Sequence, residues 1–269
     1  MKSAWNKRSS SYIKFLKKLF WPLIKVIFRL DLQGQETLVN TPTLYISNHN
    51  IGALIESHSI LFGVDDRFGD DQIVFGFTHP SIFNAPGIKH YFELVGAVPA
   101  TYEVAADVFS SGNSLLIFPG GNKQALRSIF DYKKNSFRKT HGWAKIAKSN
   151  GVDVVPVTFY GSHFVNPVLN QSGLLAKLLI FPYALGLKWL SVSLGQIIIT
   201  WLFVTYMQYL SVDLWLYVPL AIIIFSITPL TIIFPAKIKM KFHPRLSHKL
   251  SQDELEDEVE KIMNQIYNE

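Results

Sequence analysis

Thr43-Leu44-Tyr45-Ile46-Ser47-Asn48-His49-Asn50-Ile51-Gly52-Ala53-Leu54-Ile55-Glu56 is the stretch that decides the architecture. A short apolar run, Thr43–Ser47, is bounded by polar residues and reads as a buried strand. A helical pattern, Ala53–Phe62, follows within a few residues. The same alternation recurs along the chain. Ile73–Phe77, Ser114–Phe118 and Val154–Tyr160 read as further buried strands, and Tyr102–Ser110 and Gly142–Asn150 as helices. Strands alternating with helices predict an α/β layered domain. Ile238–Phe242 reads as one more strand near the end of the chain.

The rest of the chain is uneven in charge. Of 269 residues, 49% are apolar and 17% charged, against a usual charged share of about 25%. That excludes a disordered chain. There is no cysteine, which excludes disulfides, cysteine zinc sites and thiol catalysis. The net charge is +6, yet residues 1–30 alone hold eight basic residues and no acid. These alternate with Tyr12, Ile13, Phe15, Leu16, Leu19, Phe20 and Trp21. A basic, aromatic-rich amphipathic segment is expected at a membrane surface. The plainer alternative is a helix packed on the domain. Interrupting lysines argue against a spanning helix there, and a cleavage site of small residues is missing.

Trp189–Val212 and Leu214–Ala236 are free of charge, with Asp213 between them. Each run exceeds the ~20 residues that cross a bilayer, so a hydrophobic helical hairpin is expected, spanning or re-entrant. Lys177 and Lys188 before it, and Lys237, Lys239 and Lys241 after it, place both ends and the remaining chain on the cytoplasmic side. The expected division is 1–30 (surface segment), 31–173 (α/β domain), 174–236 (hairpin insertion) and 237–269 (final strand and acidic amphipathic helix from Ser251).

Two segments carry candidate chemistry. In Asn48-His49-Asn50, a strand-end His with Glu56 about two helical turns on can work as a general base, the carboxylate fixing its tautomer. His58 lies near Glu56, but no His-Glu-x-x-His spacing is present and no metal site is expected. In Phe118-Pro119-Gly120-Gly121-Asn122-Lys123-Gln124-Ala125-Leu126-Arg127, Gly120 and Gly121 let backbone N–H groups approach an anion or a developing oxyanion. Lys123 and Arg127, four apart, would share a helix face and grip a phosphate. Lys133, Lys134, Arg138, Lys139, Lys145 and Lys148 continue the basic stretch. Without a nucleic-acid-binding module, lipid headgroups or a phosphorylated substrate are its expected contacts, and a nucleic-acid partner is not expected. Val155-Pro156-Val157 lies in the last long strand, and the turn at Gly161 exposes His163.

Taken in order, these segments resemble the glycerolipid (lysophospholipid) acyltransferase superfamily over roughly residues 40–165. The carriers are Asn48-His49 with a downstream carboxylate, Gly96-Ala97-Val98-Pro99-Ala100, Phe118-Pro119-Gly120-Gly121, Gly142-Trp143-Ala144-Lys145-Ile146-Ala147 and Val155-Pro156-Val157. The Pro-Gly-Gly form looks more like the monoacylglycerol/diacylglycerol acyltransferase-like branch than the phosphatidate-forming one. Two features depart from the best-known pattern. Leu54 stands where an Asp five residues after the His is usual, leaving Glu56, and a Glu-Gly-Thr-Arg motif is absent.

The resemblance implies a mixed sheet flanked by helices. It implies O-acyl transfer from an acyl-CoA or acyl-carrier-protein thioester, with no other cofactor, to a hydroxyl of a glycerolipid or other lipophilic alcohol. His49 would be the base and Glu56 its partner. Asn48, Gly120, Gly121, Lys123 and Arg127 would bind substrate. The expected partner is membrane lipid and the expected place is the cytoplasmic face of a membrane, the inner one in a bacterium. A second expectation is a non-catalytic lipid-binding protein on the same fold. A hydrolase using His49 with Ser47 or Ser57 is the third, weakened by the missing nucleophile elbow.

Overall fold

The computed structural model describes residues 5–50, 53–84, 88–134, 141–179, 189–227 and 234–267. Seven strands form the main sheet among these residues: β1 (Asp31–Gln33), β2 (Thr43–Ser47), β3 (Val74–Thr78), β4 (Ala97–Pro99), β5 (Ser114–Ile117), β6 (Asp153–Tyr160) and β9 (Lys239–Phe242). Their order is β1-β9-β6-β2-β5-β3-β4, parallel throughout except where β9 meets β6. The sheet is therefore mixed and flanked by helices, as expected. Two further strands, β7 (Val168–Ser172) and β8 (Leu190–Ser193), form a small antiparallel ribbon.

Alternation along β2 explains why its run is apolar throughout. Leu44 and Ile46 pack on one face with Val108, Trp143 and Val259, while Tyr45 packs on the other with Trp21, Ile60 and Phe242. A sheet covered on both faces needs apolar residues at every position, not every second one. The first layer uses α4 (Tyr102–Ser110), α6 (Gly142–Asn150) and α10 (Gln252–Gln265). Helix α10 opens with a reciprocal cap between Ser251 and Glu254 and buries Leu255, Val259 and Met263. The second layer uses α1 (Ser10–Ile27) and α2 (Ala53–Phe68). Three shorter helices, α3 (Ile88–Leu94), α5 (Gly121–Ala125) and α7 (Gly173–Leu178), complete the connections.

Both readings of the N-terminal segment meet in α1. One face buries Ile13, Leu16, Trp21 and Ile24. Lys14 and Lys17 pair with Asp70 and Asp65 at 2.5 Å, and Trp21 donates to Asp66 at 2.7 Å. Much of the basic charge is thus answered by acids of α2 and the turn after it. The opposite face leaves Phe15, Leu19, Leu23 and Val26 exposed.

The expected spanning hairpin is corrected. The uncharged run from Trp189 opens as β8, and helix begins only at Leu194, where Ser193 and Gln196 cap it reciprocally. Helix α8 (Leu194–Tyr209) has 16 residues and α9 (Leu214–Ile227) has 14. No helix among the described residues is long and apolar enough to cross a membrane. At ~1.5 Å per residue the two reach only about 24 and 21 Å. Gln196 Nε2 donating to Phe225 O and Gln208 Nε2 to Tyr217 OH show that they pair antiparallel. Residues 228–233, with Pro229, and Lys188 lie outside the described residues. Along the chain the pair sits between β6 and β9, two neighbours in the main sheet.

Candidate active site

The carboxyl ends of β2, β5 and β6, three adjacent parallel strands, converge on one edge of the sheet. Open α/β sheets bind their ligands at such an edge. Asn48 leaves β2 there, and its amide pairs with the backbone of Phe159. Asn48 Nδ2 donates to Phe159 O at 2.8 Å, and Phe159 N donates to Asn48 Oδ1 at 2.7 Å. This side chain continues the ladder past the strand end. The residue is buried, 1% exposed.

His49 follows. Its ring stacks on Phe118 from the end of β5, with centroids 4.5 Å apart and planes at 26°. Nδ1 lies 3.4 Å from Glu56 Oε2; the imidazole is 15% exposed and the carboxylate 0%. Glu56 also accepts from Asn50 N at 3.0 Å and from Asn50 Nδ2 at 2.8 Å. With Nδ1–H turned to the carboxylate, Nε2 is the nitrogen left for a reacting proton. A separation of 3.4 Å is long for a hydrogen bond, as is common before substrate closes a site.

Other polar groups near Glu56 in sequence lie elsewhere. His58 is turned away: Nδ1–H donates to Leu54 O at 2.5 Å and Nε2 accepts from Tyr91 OH at 2.7 Å. Burial pushes its pKa down. Asp65 and Asp66 are held by α1. Ser57 Oγ faces Leu54 O and His58 Nδ1.

The Pro119-Gly120-Gly121 turn follows Phe118. Gly120 has φ +85, and a Cβ there would lie 2.4 Å from Gln124 Oε1, so only glycine fits. Gly121 N donates to Phe118 O at 3.3 Å, which engages one of the two amides expected to face an oxyanion. Lys123 is exposed, its ammonium 5.4 Å from the Trp189 ring centroid. Arg127 departs from expectation. Helix α5 ends at Ala125, so Arg127 does not share a face with Lys123. It turns inward and is 7% exposed.

There Arg127 Nη2 contacts Asn50 Oδ1 at 3.1 Å, His163 Nε2 at 2.6 Å and Tyr267 OH at 3.2 Å. His163 is buried, not exposed by its turn. Burial, and then Arg127, push its pKa down to about 2, so it is neutral and Nε2 accepts. Further along, Lys134 pairs with Asp131, Lys145 lies over Tyr102 and Lys148 donates to Leu250 O. The basic stretch is dispersed, and Arg138 and Lys139 lie outside the described residues. Sequence reasoning missed Asn50, Ser162 and Tyr267. Asn50 sits inside the quoted motif; for Tyr267, about 220 residues downstream, the sequence carries no signal.

Residues 50–177 match the diacylglycerol acyltransferase family. An uncharacterized protein of Mycobacterium leprae (strain TN) is 25% identical over 158 residues, 58% of this chain and 43% of that protein. The chain thus spans less than half the length of this curated relative. The crystal structure of the 1-acyl-sn-glycerophosphate (LPA) acyltransferase PlsC from Thermotoga maritima superposes with a TM-score of 0.55 at 17% identity, covering 95% of this chain and 79% of that one. At that identity the likeness speaks for the fold. With the family match over 50–177 and this shared fold, the chain is similar to the glycerolipid acyltransferases.

Proposed function

We propose that the chain is a membrane-associated O-acyltransferase that moves an acyl group from a CoA or acyl-carrier-protein thioester to a hydroxyl of a glycerolipid or other lipophilic alcohol. The carrying observation is the His49–Glu56 pair at the carboxyl edge of the sheet, with the ring packed on Phe118. His49 Nε2 takes the acceptor proton, and the oxygen attacks the thioester carbonyl. The tetrahedral intermediate expels the thiolate, which takes the proton back from the imidazolium. Glu56 stabilises that imidazolium and fixes its tautomer. Exposed apolar side chains support action at a bilayer: Phe15, Leu19 and Val26 on α1, and Trp201, Tyr209, Trp215 and Leu216 on the helical pair. In this reading the helical pair dips into one leaflet from the cytoplasmic side. In this reading Lys123, exposed beside the Trp189 ring, meets the donor phosphate.

The test is lipid profiling of cells overproducing wild type or His49→Ala, joined to transfer assays with acyl-CoA and acyl carrier protein over a panel of lipophilic alcohols. A lipid class that rises with wild type alone names the product. Equal profiles and no transfer from either donor would leave the non-catalytic lipid-binding reading.

A further inference from the structure

Behind Glu56 lies a chain of buried groups that the acyl-transfer step does not touch. The Asn50 amide is used at every position. Nδ2 donates to Glu56 Oε1 at 2.8 Å and to Ser162 Oγ at 2.5 Å, and Oδ1 accepts from Arg127 Nη2 at 3.1 Å. Turning the amide over would set its oxygen against the carboxylate, so the arrangement has one orientation. Arg127 in turn is flanked by His163 Nε2 at 2.6 Å and Tyr267 OH at 3.2 Å. The contributors come from five places: the loop after β2, α2, the segment past α5, the turn after β6, and the end of the chain just past α10.

A fully buried carboxylate is strongly disfavoured without a counter-charge. Arg127 is the cation joined to Glu56 through one bridging side chain. Among the described residues, Arg127 has little free space at its side. The cavity bounded by Asn50, Arg127, His163 and Asn166 measures about 10 Å³, one water's worth.

We infer that Arg127, acting through Asn50, is a positioning residue: it supplies the counter-charge of Glu56 and fixes its orientation, and thereby that of the His49 ring. Tyr267 closes the network from the last turn of the chain. The inference rests on the reading of His49 as the base. Among the described residues, charged and titratable groups around Arg127 include Glu56, His163 and Tyr267; His49 lies beyond Glu56, and Tyr132 and Tyr160 pack on His163 and Tyr267. His163 is already neutral, and Tyr160 is pushed upward by burial and by Tyr132.

The experiment uses the full chain as wild type, Arg127→Met, Arg127→Lys and Tyr267→Phe. Its first readout is the NMR titration of His49 without substrate, assigned by the signal missing from His49→Ala. Its second is the pH profile of kcat/KM for acyl transfer. Removing a positive charge beside the His49–Glu56 pair favours the protonated pair. Arg127→Met therefore moves the His49 midpoint, and the acid limb with it, up by about one pH unit. Arg127→Lys keeps the midpoint within a few tenths but lowers kcat, because an ammonium cannot hold the planar contacts. Tyr267→Phe leaves the midpoint in place and lowers kcat about two- to tenfold.

An Arg127→Met protein that melts like wild type yet leaves the His49 midpoint unmoved overturns the inference, as does a Lys variant that shifts as far as Met. If Arg127→Met does not fold, Arg127→Gln, neutral and still able to hydrogen-bond Asn50, carries the same test. If wild type transfers no acyl group, the titration arm still reads the positioning. Failure of the catalytic reading and failure of this one are thus separate results.

Discussion

Replacing Glu56 by Gln tests the site most sharply, because both carboxylate oxygens accept hydrogen bonds. Oε1 takes the Asn50 Nδ2 donor, and Oε2 faces both Asn50 N and His49 Nδ1. A Gln side chain has one acceptor oxygen and one NH2 group, so one Asn50 donor must face another donor. The loss is one buried hydrogen bond plus the desolvation of what it leaves, about 1–3 kcal/mol of folding stability. A charge-assisted bond to the imidazolium is worth about 1.5–3 kcal/mol, and the 3.4 Å separation places this one near the low end. The expected fall in kcat is therefore about 10- to 30-fold, since ~1.4 kcal/mol is a factor of ten. His49→Ala removes the base itself and should lose about 10²–10⁴-fold. The chain has no cysteine, so a thiol-trapping reagent added to the reaction counts released CoA without background from the protein. Denaturant unfolding of each variant separates lost catalysis from lost fold. Full transfer by His49→Ala would refute the base. Full transfer by a folded Glu56→Gln would refute the buried carboxylate as its partner.

Three further outcomes are expected. His163 binds no proton in the folded state until about pH 2, whereas the unfolded chain protonates it near its ordinary value of 6.5, so unfolding is favoured increasingly as pH falls below ~6.5; denaturant midpoints at pH 7 and pH 5 should differ less in His163→Gln than in wild type, and an equal difference would be the contrary result. Burial alone would raise the Asp66 pKa, but hydrogen bonds from Lys17 and Trp21 outweigh it and hold it below the usual value; its contribution is present above ~3.8 and fades as pH falls through the lowered value, and Asp66→Asn should lower stability at pH 7 by about 1–2 kcal/mol in urea unfolding, with a loss that shrinks as the pH is taken below ~3.8. Trp215 and Leu216 are 86% and 64% exposed; if they enter lipid, Trp215→Ser with Leu216→Ser should weaken co-sedimentation with anionic liposomes at least tenfold at unchanged melting temperature, since each such side chain is worth about 1.5–3 kcal/mol in an apolar phase. Undiminished sedimentation would remove these residues from the docking surface.

The strands legible in the sequence are those buried on both faces. Thr43–Ser47 and the helices Tyr102–Ser110 and Gly142–Asn150 coincide with β2, α4 and α6, because apolar density and period state burial directly. The edge strands β1 and β4, three residues each, and the ribbon β7–β8 are too short or too polar to leave a pattern. The expected hairpin failed on length for a definite reason. An uncharged run says which solvent a segment tolerates, but a capping pair such as Ser193–Gln196 says where helix begins. At the site, His49 and Glu56 were legible because the loop after β2 and the first turn of α2 are neighbours in sequence. Arg127, four residues past Lys123, would share its face only within a helix, and the helix stops two residues short of it. Tyr267 meets Arg127 across 140 positions, and only the fold can bring them together.

The position of β9 has a consequence for how the protein is made. Among the described residues β1 pairs only with β9, and Asp31 faces Lys239. A ribosome that has released Asp31 must therefore add roughly two hundred more residues before that edge of the sheet can form, and closing so long a loop is entropically slow. The apolar helical pair emerges within this interval, while the sheet is still open and its own exposed side chains have no protein cover. During synthesis these apolar side chains are thus exposed before the fold that positions His49 is complete.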